Sequence, residues 1–265
     1  MYSALDELKQ SIQQAIRFSN EIGALNLKTT YPSNPQEDQL GKAMILMQER
    51  LKDYEHREKQ NQLLAKKSLI LGQEKERKRL SKELHDGLGP LLTSLKLNIQ
   101  RTDVAPHVKT KLNQVIDQTI HEIRRMTYDL MPPALEDFGV GKAMSNFVNL
   151  ISKSSGIPII FEDDTLSGNS KIGADVDICL FRICQELINN SLKHANCSKI
   201  AITLTEFEDK VSLFYFDDGQ GFNIQEVKKG SGLRNIKERV AVFDGYVEVN
   251  SSQEGTQVEV EIPFL

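Results

Sequence analysis

The sequence is poor in the features that mark secreted and membrane proteins. It has three cysteines in 265 residues, Cys179, Cys184 and Cys197, and no Cys-x-x-Cys pair. We therefore expect reduced thiols in a cytoplasmic setting. We assign all three to packing, because a zinc site needs three or four ligands. No run approaches the ~20 consecutive apolar residues that cross a bilayer, and residues 1–7 lack the apolar core of a signal peptide.

The sequence also lacks an excess of basic charge. Its 33 lysines and arginines against 37 aspartates and glutamates give a net charge of −4. This balance provides no general attraction to nucleic acid or to anionic lipid, so we expect no direct binding to nucleic acid. We expect a cytoplasmic location, with a membrane reached only through a segment upstream of Met1.

The first 54 residues predict two helices joined by a connector. Apolar or small residues recur at the three-four spacing of a coiled coil from Leu5 to Ile22, and Gly23 ends the pattern. Residues 26–36 contain two prolines and are too long for a tight turn, so we expect them to run alongside the helices. Two parallel helices with such a connector resemble a HAMP signalling module, and an ordinary coiled coil is the alternative.

A nearly continuous helical rod of ~90 Å is predicted from residue 42 to residue 100, at 1.5 Å per residue. Five leucines place one apolar stripe on its second half: Leu80, Leu84, Leu88, Leu91 and Leu95. A second amphipathic helix follows over residues 108–130 and ends at Pro132. Two helices cannot cover both stripes alone, so we expect a homodimer that forms a four-helix bundle. We place a domain boundary at residues 135–139.

His85 lies at the edge of the leucine stripe and has unusual neighbours. At helical contact spacings Lys78, Ser81, Lys82 and Gly89 lie above and below it. The two ammonium groups could meet an anion carried by the imidazole, and Gly89 leaves the ring uncrowded. Asp86 is adjacent and can hold one ring nitrogen. His85 is therefore a candidate nucleophile, although a lone histidine on a charged helix face is more often simply solvated.

The rest of the chain predicts an α/β sandwich with antiparallel pairings. Strand patterns cover residues 157–162, 200–204, 211–216, 246–250 and 257–264, and helix patterns cover residues 175–195 and 233–243. The last two strands should form a hairpin around Glu254 and Gly255.

Polar residues and glycines form a second constellation in this region. Glu186, Asn190 and Lys193 share one helical stripe, whose oxygen ligands and cation suit a Mg²⁺-bound polyphosphate. Asp217 ends a buried strand, and the glycines after it allow close backbone approach to a ligand. A further glycine group offers free N–H groups at a helix start. The glycine-box residues are Asp217, Gly219, Gly221, Gly230, Gly232, Leu233, Gly255 and Thr256.

In order and spacing, these motifs resemble those of two-component sensor histidine kinases. Residues 74–265 are similar to the subfamily with a His-Asp motif, of the nitrate/nitrite-sensor and membrane-fluidity-sensor type, with an ATP-binding domain of the Bergerat or GHKL fold. Three domains are expected: a HAMP-like or coiled-coil segment at 1–68, a dimerisation and histidine phosphotransfer hairpin at 69–133, and a catalytic ATP-binding domain at 134–265. No P-loop, Rossmann or protein-kinase motif competes with this interpretation.

The resemblance implies a role for each matching residue. His85 would be the phosphoacceptor and Asp86 its activating neighbour. Asn190 would hold Mg²⁺ with possible help from Glu186, which is also a catalytic candidate, and Lys193 and Lys82 would contact phosphate. ATP would be bound by Asn190, Asp217, Gly219, Gly221, Gly230, Gly232, Leu233 and Thr256. The implied partner is a response regulator with a receiver domain, expected to be a transcription factor.

Two alternatives to the histidine kinase remain open in the sequence. A GHKL protein could act on another substrate, and a silent dimeric scaffold could bind a partner only. One position departs from the family: the fifth residue after the phosphoacceptor is commonly a glutamine thought to position the water that dephosphorylates the regulator, and here it is Pro90. Proline also removes a helix hydrogen bond and predicts a kink past His85.

Overall fold

The computed structural model describes residues 2–31, 39–165, 170–223 and 231–264. It contains seven α-helices and five strands within those residues. The helices are α1 (Tyr2–Gly23), α2 (Gln39–Glu83), α3 (Gly89–Arg101), α4 (Pro106–Leu130), α5 (Pro133–Ser155), α6 (Ala174–Asn190) and α7 (Ser231–Ala241). The strands are β1 (Ile159–Asp164), β2 (Ile200–Glu206), β3 (Lys210–Asp217), β4 (Tyr246–Ser252) and β5 (Gly255–Pro263).

The chain divides into two compact units, residues 1–65 and 66–265. In the first unit α1 ends at Gly23, as the sequence predicts. Phe18 and Ile22 form a small apolar cluster with Leu27, against which Met44 of α2 also packs. Most of the predicted connector, residues 32–38, lies outside the described residues. The HAMP assignment and the three domain limits stay predictions.

Residues 39–101 are helical throughout, as predicted, but the helix changes type at the phosphoacceptor candidate. Leu84–Leu88 form a π-helical turn between α2 and α3. Pro90 lies in the first turn of α3 and has no N–H to donate to the carbonyl four residues earlier. A π turn inserts one residue into the hydrogen-bond ladder and absorbs such a missing donor. The expected kink is therefore a local change of helix type that contains His85.

Helices α3 and α4 form the predicted hairpin, and much of its apolar surface is uncovered in a single chain. Leu91 is 66% exposed and Leu95 is 47% exposed, while Val115 and Met126 on α4 are 54% and 51% exposed. These side chains belong to the apolar stripes on which the four-helix bundle prediction rests. Among the helices that the structure describes, none is both long and apolar enough to cross a membrane.

The C-terminal part is a five-stranded sheet in the order β1-β2-β3-β5-β4. β2–β3, β3–β5 and β4–β5 are antiparallel, with β4 and β5 forming the predicted hairpin. The expectation of antiparallel pairings was wrong for β1, which pairs parallel to β2. The crossover through α6 makes this possible, since parallel neighbours need a long connection. β1 also begins and ends two residues later than predicted.

Helices α5, α6 and α7 cover one face of the sheet and enclose the core. Buried residues alternate along β2 and β3, as expected for strands with one covered face. Helix α5 is broken at Gly139, whose φ of 77° and ψ of −178° lie outside the helical region. The helix restarts at Val140, where the carboxylate of Asp177 on α6 accepts a backbone hydrogen bond. The predicted boundary at residues 135–139 is thus helical, with one break.

Asp177 generates a pH prediction. Burial, with a smaller contribution from Glu206, raises the pKa of Asp177 to about 7, although the bond from Val140 opposes the shift. The folded carboxyl keeps its proton at pH values where the unfolded carboxyl has lost it. Its contribution to stability therefore falls as the pH rises from 3.8 to about 7.

We expect Asp177→Asn to raise the melting temperature at pH 8 and to have a smaller effect at pH 5. The amide carries no charge, yet its oxygen can still accept from Val140. Each kcal/mol gained corresponds to ~2–4 °C in a domain of this size. The control is Asp175→Asn, an exposed carboxylate in the same helical turn, which should lack this pH dependence. Thermal unfolding followed by circular dichroism measures both, and an equal gain at both pH values for Asp177→Asn would contradict the assignment.

Candidate active site

A cavity of about 690 Å³ lies between α6, the ends of β3 and β5, and the start of α7. The glycine boxes and the polar stripe of α6 meet there. Eight of the predicted site residues line it: Glu186, Asn190, Lys193, Asp217, Gly221, Gly232, Leu233 and Thr256. Gly219 lies beside the cavity and is not among the described residues that line it. Gly230 falls outside the described residues.

Asp217 is the fixed acceptor of the cavity. It is 2% exposed, and each of its carboxylate oxygens already receives one hydrogen bond. Ser191 Oγ donates to Oδ2 at 2.5 Å, and the backbone N–H of Gly219 donates to Oδ1 at 3.0 Å. Tyr215 Oη in turn donates to Ser191 Oγ at 2.7 Å. A buried carboxylate held in this way has a defined orientation and free lone pairs for a ligand donor.

Strand register explains why Asp217 points into the cavity. Tyr215 and Asp217 are two residues apart on β3, so their side chains share one face of the sheet. Thr256 on β5 is the register partner of Asp217. A Cβ on Gly255, which has a φ of 131°, would lie 2.0 Å from the Asp217 carbonyl oxygen. Only glycine permits this approach, which places the start of β5 against the end of β3.

The adjacent Asp218 faces the other way. Its carboxylate accepts hydrogen bonds from the backbone N–H groups of Ser198 and Lys199 and from Ser198 Oγ. The Ser198 hydroxyl bond lowers the pKa of Asp218 most, and the backbone bonds add to the effect. Asp218 therefore closes a loop on the surface, and Asp217 alone of the pair serves the cavity.

A second close approach shapes the cavity at Gly221. Its φ is 61°, and a Cβ there would lie 1.8 Å from the Ser252 carbonyl oxygen. The next N–H, of Phe222, donates to Ser251 Oγ at 2.9 Å, and that hydroxyl lies 3.1 Å from Thr256 Oγ1. The loop after β3 is thereby held against the β4–β5 hairpin.

The polar end of the cavity is formed by α6 and the first turn of α7. Glu186 and Asn190 lie on α6, and Lys193 lies in the π-helical turn Ser191–Ala195 that continues it. A Cβ on Gly232 would lie 2.4 Å from Glu186 Oε1 and 3.2 Å from Asn190 Nδ2. The missing side chain leaves these two groups uncovered. A carboxylate, an amide oxygen and an ammonium group in one place fit a polyphosphate with a divalent cation.

His85 is displayed on the helix surface. Its side chain is 73% exposed, and Nδ1 lies 3.0 Å from Asp86 Oδ1. A proton on Nδ1 would be donated to this carboxylate, which would leave the lone pair of the neutral ring on Nε2. None of the described cavity-lining residues comes from the helix that carries His85; they all lie between Glu186 and Val258.

The predicted surroundings of His85 need one correction. Ser81 is 8% exposed and donates to the carbonyl oxygens of Thr127 at 3.1 Å and Met131 at 3.3 Å. It therefore anchors α2 to the end of α4 and does not face the imidazole. Lys78 pairs with Glu136 at 2.9 Å, whereas Lys82 is exposed.

Comparison with known proteins finds a family for both stretches of the chain that contain these residues. A sequence profile described as "Histidine kinase" matches residues 76–135, which include His85. A second, described as "Histidine kinase-, DNA gyrase B-, and HSP90-like ATPase", matches residues 175–265, which include every described residue of the cavity lining. The chain belongs to the sensor histidine kinases. The ATPase domain implies that this histidine kinase binds ATP.

Individual relatives agree with this assignment. The chain is 31% identical over 207 residues to the signal transduction histidine-protein kinase/phosphatase DegS of Brevibacillus brevis, covering 74% of this chain and 53% of that protein. It is 30% identical over 259 residues to the sensor histidine kinase ComP of Bacillus subtilis, covering 92% of this chain and 33% of that protein. The chain thus spans between a third and about half of these relatives.

Among solved structures, the histidine kinase domain of the Erythrobacter litoralis EL346 blue-light activated histidine kinase overlaps 66% of this chain and 93% of that domain. The two are 15% identical, and the TM-score is 0.43.

Several residues that shape the cavity of this histidine kinase were not predicted from its sequence. Tyr215 and Ser191 complete the hydrogen-bond chain to Asp217, and Ser251 joins Phe222 to Thr256. The sequence contains a usable signal for Tyr215, because Tyr215 and Asp217 are two residues apart and therefore lie on the same face of one strand. Burial raises the pKa of Tyr215, so its hydroxyl keeps its proton and acts as a donor to Ser191. The sequence contains no comparable signal for Ser191, since its hydrogen-bond acceptor Asp217 is 26 residues away along the chain.

We expect Asp217→Asn to weaken ATP binding by about tenfold or more, equivalent to ~1.4 kcal/mol. The amide presents a donor where the site needs an acceptor. Ser191→Ala should cause a smaller loss, since it frees the carboxylate without removing it. The matched control is Asp218→Asn, which should bind ATP normally. Titration calorimetry gives the affinities, and equal losses in Asp217→Asn and Asp218→Asn would show that the cavity is not the nucleotide site.

Proposed function

We propose that the chain is the transmitter region of a sensor histidine kinase. It binds ATP in the cavity, phosphorylates itself on His85 and passes the phosphoryl group to an aspartate of a separate response regulator. The observation that carries this proposal is that one chain combines a cavity containing the buried acceptor Asp217 with an exposed imidazole held by Asp86. The cavity alone would fit other GHKL proteins, and the exposed imidazole alone would fit a solvated histidine.

The apolar half of the cavity suits the adenine base. Asp217 accepts from the exocyclic amino group, because its oxygens retain lone pairs beyond those used by Ser191 and Gly219. Leu187, Leu233 and Val258 line the same cavity and provide apolar contact for the ring. Adenine carries a donating amino group where guanine carries an accepting oxygen. An acceptor such as Asp217 therefore selects adenine over guanine at this position.

The polar half suits the phosphates. Asn190 would hold Mg²⁺, with Glu186 beside it, and Lys193 would contact a phosphate oxygen. When bound, Mg²⁺ supplies charge neutralisation to the phosphate chain. Phosphoryl transfer requires mainly positioning and charge compensation. The oxygen ligands and the ammonium group around Gly232 would provide both.

The transfer step follows from the geometry at His85. The Nε2 lone pair forms a bond to the terminal phosphorus, the bond between that phosphorus and the bridging oxygen breaks, and ADP leaves with the electron pair. The Nδ1 proton stays on the ring, shared with Asp86, so the phosphorylated ring remains stabilised by that carboxylate. Lys82, one helical turn before His85, compensates the charge of the incoming phosphate.

The transmitter acts as a homodimer in this proposal. The exposed leucine stripe of α3 and the apolar residues of α4 are uncovered in one chain, and pairing two hairpins covers them. The partner that receives the phosphate is a response regulator with a receiver domain, expected to be a transcription factor. In this proposal the transmitter works in the cytoplasm.

Autophosphorylation on His85 is tested with labelled ATP. The wild-type protein with Mg²⁺ should acquire acid-labile, base-stable phosphate, and His85→Ala should lose all label. His121→Ala removes another exposed histidine from the same hairpin and should keep it. Asp86→Asn should slow labelling by on the order of 10²-fold without loss of ATP affinity, since it touches only the imidazole. Label that persists in His85→Ala would overturn the acceptor assignment.

Pro90 generates a prediction about the reverse reaction. Its side chain neither donates nor accepts a hydrogen bond, so it cannot position water for hydrolysis of the phosphorylated regulator. We expect strong kinase and weak phosphatase activity, and a gain of phosphatase activity in Pro90→Gln. Pro90→Ala is the control, because it restores the backbone N–H without an amide side chain.

The measurement is the half-life of the phosphorylated regulator mixed with each variant and ADP. Pro90→Gln should shorten the half-life severalfold relative to Pro90→Ala. A wild-type protein that already shortens it as much would assign the water-positioning role to another residue.

A further inference from the structure

The part of α2 that precedes His85 is attached to the ATPase domain along one face, which we call the α2 seam. The seam consists of Lys66, Lys67, Ile70 and Glu74. All of these except Lys67 are spaced by four residues and share one helix face. Ile70 packs against the main apolar core. The seam lies within the single compact unit formed by residues 66–265.

A buried charge cluster forms the centre of the seam. Glu74 is 3% exposed and Arg182 is 7% exposed. Arg182 Nε donates to Glu74 Oε2 at 2.9 Å, and Arg239 Nη1 lies 3.0 Å from Glu74 Oε1. One carboxylate from α2 therefore serves two guanidinium groups, from α6 and from α7.

Two weaker contacts lie beside the cluster. Lys66 Nζ pairs with Glu238 Oε1 at 3.1 Å, and Lys67 Nζ lies 5.7 Å from the centre of the Phe243 ring. Lys66 is exposed and Lys67 is half-buried, and contacts of these two types contribute little to stability. Arg182 also donates to the carbonyl oxygens of Asp129 and Leu130 at the end of α4, so Glu74 supplies the charged part of the attachment to α2.

The cluster joins the two helices that line the nucleotide cavity. Arg182 lies one turn before Glu186 on α6, and Arg239 lies on α7, which begins beside Leu233 at the cavity. Glu74 lies 11 residues before His85 on the sequence, about 16 Å along a helix. The described cavity lining includes no residue near His85. The seam thus binds the ATPase domain in an arrangement where His85 is outside the cavity.

We propose that Glu74 is the latch of an autoinhibitory contact that holds the ATPase domain on α2 and away from His85. This rests on the proposed transfer of phosphate to His85. Removing the Glu74 charge leaves the buried guanidinium group of Arg182 and the partly buried one of Arg239 without the carboxylate that faces them in the docked arrangement. Release from α2 would open both groups to water, so the change weakens docking more than it weakens the ATPase domain itself. Movement of α2 that withdraws Glu74 would release the domain in the same way.

The test compares Glu74→Gln with a control two residues away. Glu76→Gln removes a carboxylate from an exposed pair with Arg79 on the same helix and leaves the seam intact. We expect Glu74→Gln to raise the autophosphorylation rate at saturating ATP by about fivefold or more, with the KM for ATP unchanged. Arg239→Gln should raise it in the same direction. Glu76→Gln should match the wild type.

A distance measurement tests the latch independently of catalysis. Spin labels at Leu69→Cys and Lys237→Cys, both exposed helical positions, report the separation of α2 and α7. The three native cysteines are buried and are spared by the label. Wild-type and Glu76→Gln proteins should give one short distance, and Glu74→Gln should give a longer, broader distribution. Unchanged distances in Glu74→Gln would overturn the latch whatever the activity.

Locking the seam provides the opposite perturbation. A short bifunctional maleimide across Lys66→Cys and Glu238→Cys should abolish autophosphorylation while ATP binding, measured by calorimetry, is retained. Crosslinked protein that labels as fast as uncrosslinked protein would overturn the latch. If no variant labels His85 but the spin-label distances respond to Glu74→Gln, the proposed function fails and the contact stands.

Discussion

The cavity beside α6 depends on the burial of one carboxylate. An ionised group at 2% exposure is costly unless every nearby donor is aimed at it. The donors of Asp217 come from three separate places: a hydroxyl after α6, a backbone N–H in the loop after β3, and, through Ser191, a phenol on β3 itself. Satisfying Asp217 therefore fixes the relation of α6 to the sheet, and the cavity is the space that remains between them.

Glycines allow the rest of the cavity to close around this acceptor. Gly255 and Gly221 bring main-chain atoms of neighbouring segments into contact at positions where a side chain would overlap a carbonyl oxygen. Gly232 has a different purpose, since a side chain there would cover Glu186 and Asn190. The glycine boxes thus combine two physical roles, close backbone packing on the apolar side and open polar groups on the other.

Both halves of the proposed active site contain a π-helical turn. One turn, Leu84–Leu88, carries His85 and Asp86, and the other, Ser191–Ala195, carries Lys193. A π turn costs hydrogen-bond quality and is retained where it places side chains that a regular helix would place elsewhere. Near His85 the cause is identifiable, because Pro90 removes one donor from the ladder. After α6 the turn also brings Ser191 to Asp217.

The sequence by itself determined most of the order of helices and strands, the leucine stripe, the polar stripe of α6 and the place of Asp217 at the end of a buried strand, because these depend on spacings within a few residues. It predicted no helix at the position of α5 after Gly139. Only the tertiary structure decided that β1 pairs in parallel, that Ser81 is an anchor, and that Glu74 meets Arg182 and Arg239. Those contacts join residues from 41 to 165 positions apart along the chain, the first between Ile159 and Ile200 and the last between Glu74 and Arg239. No local period carries them, since they arise from how separate helices pack against one core.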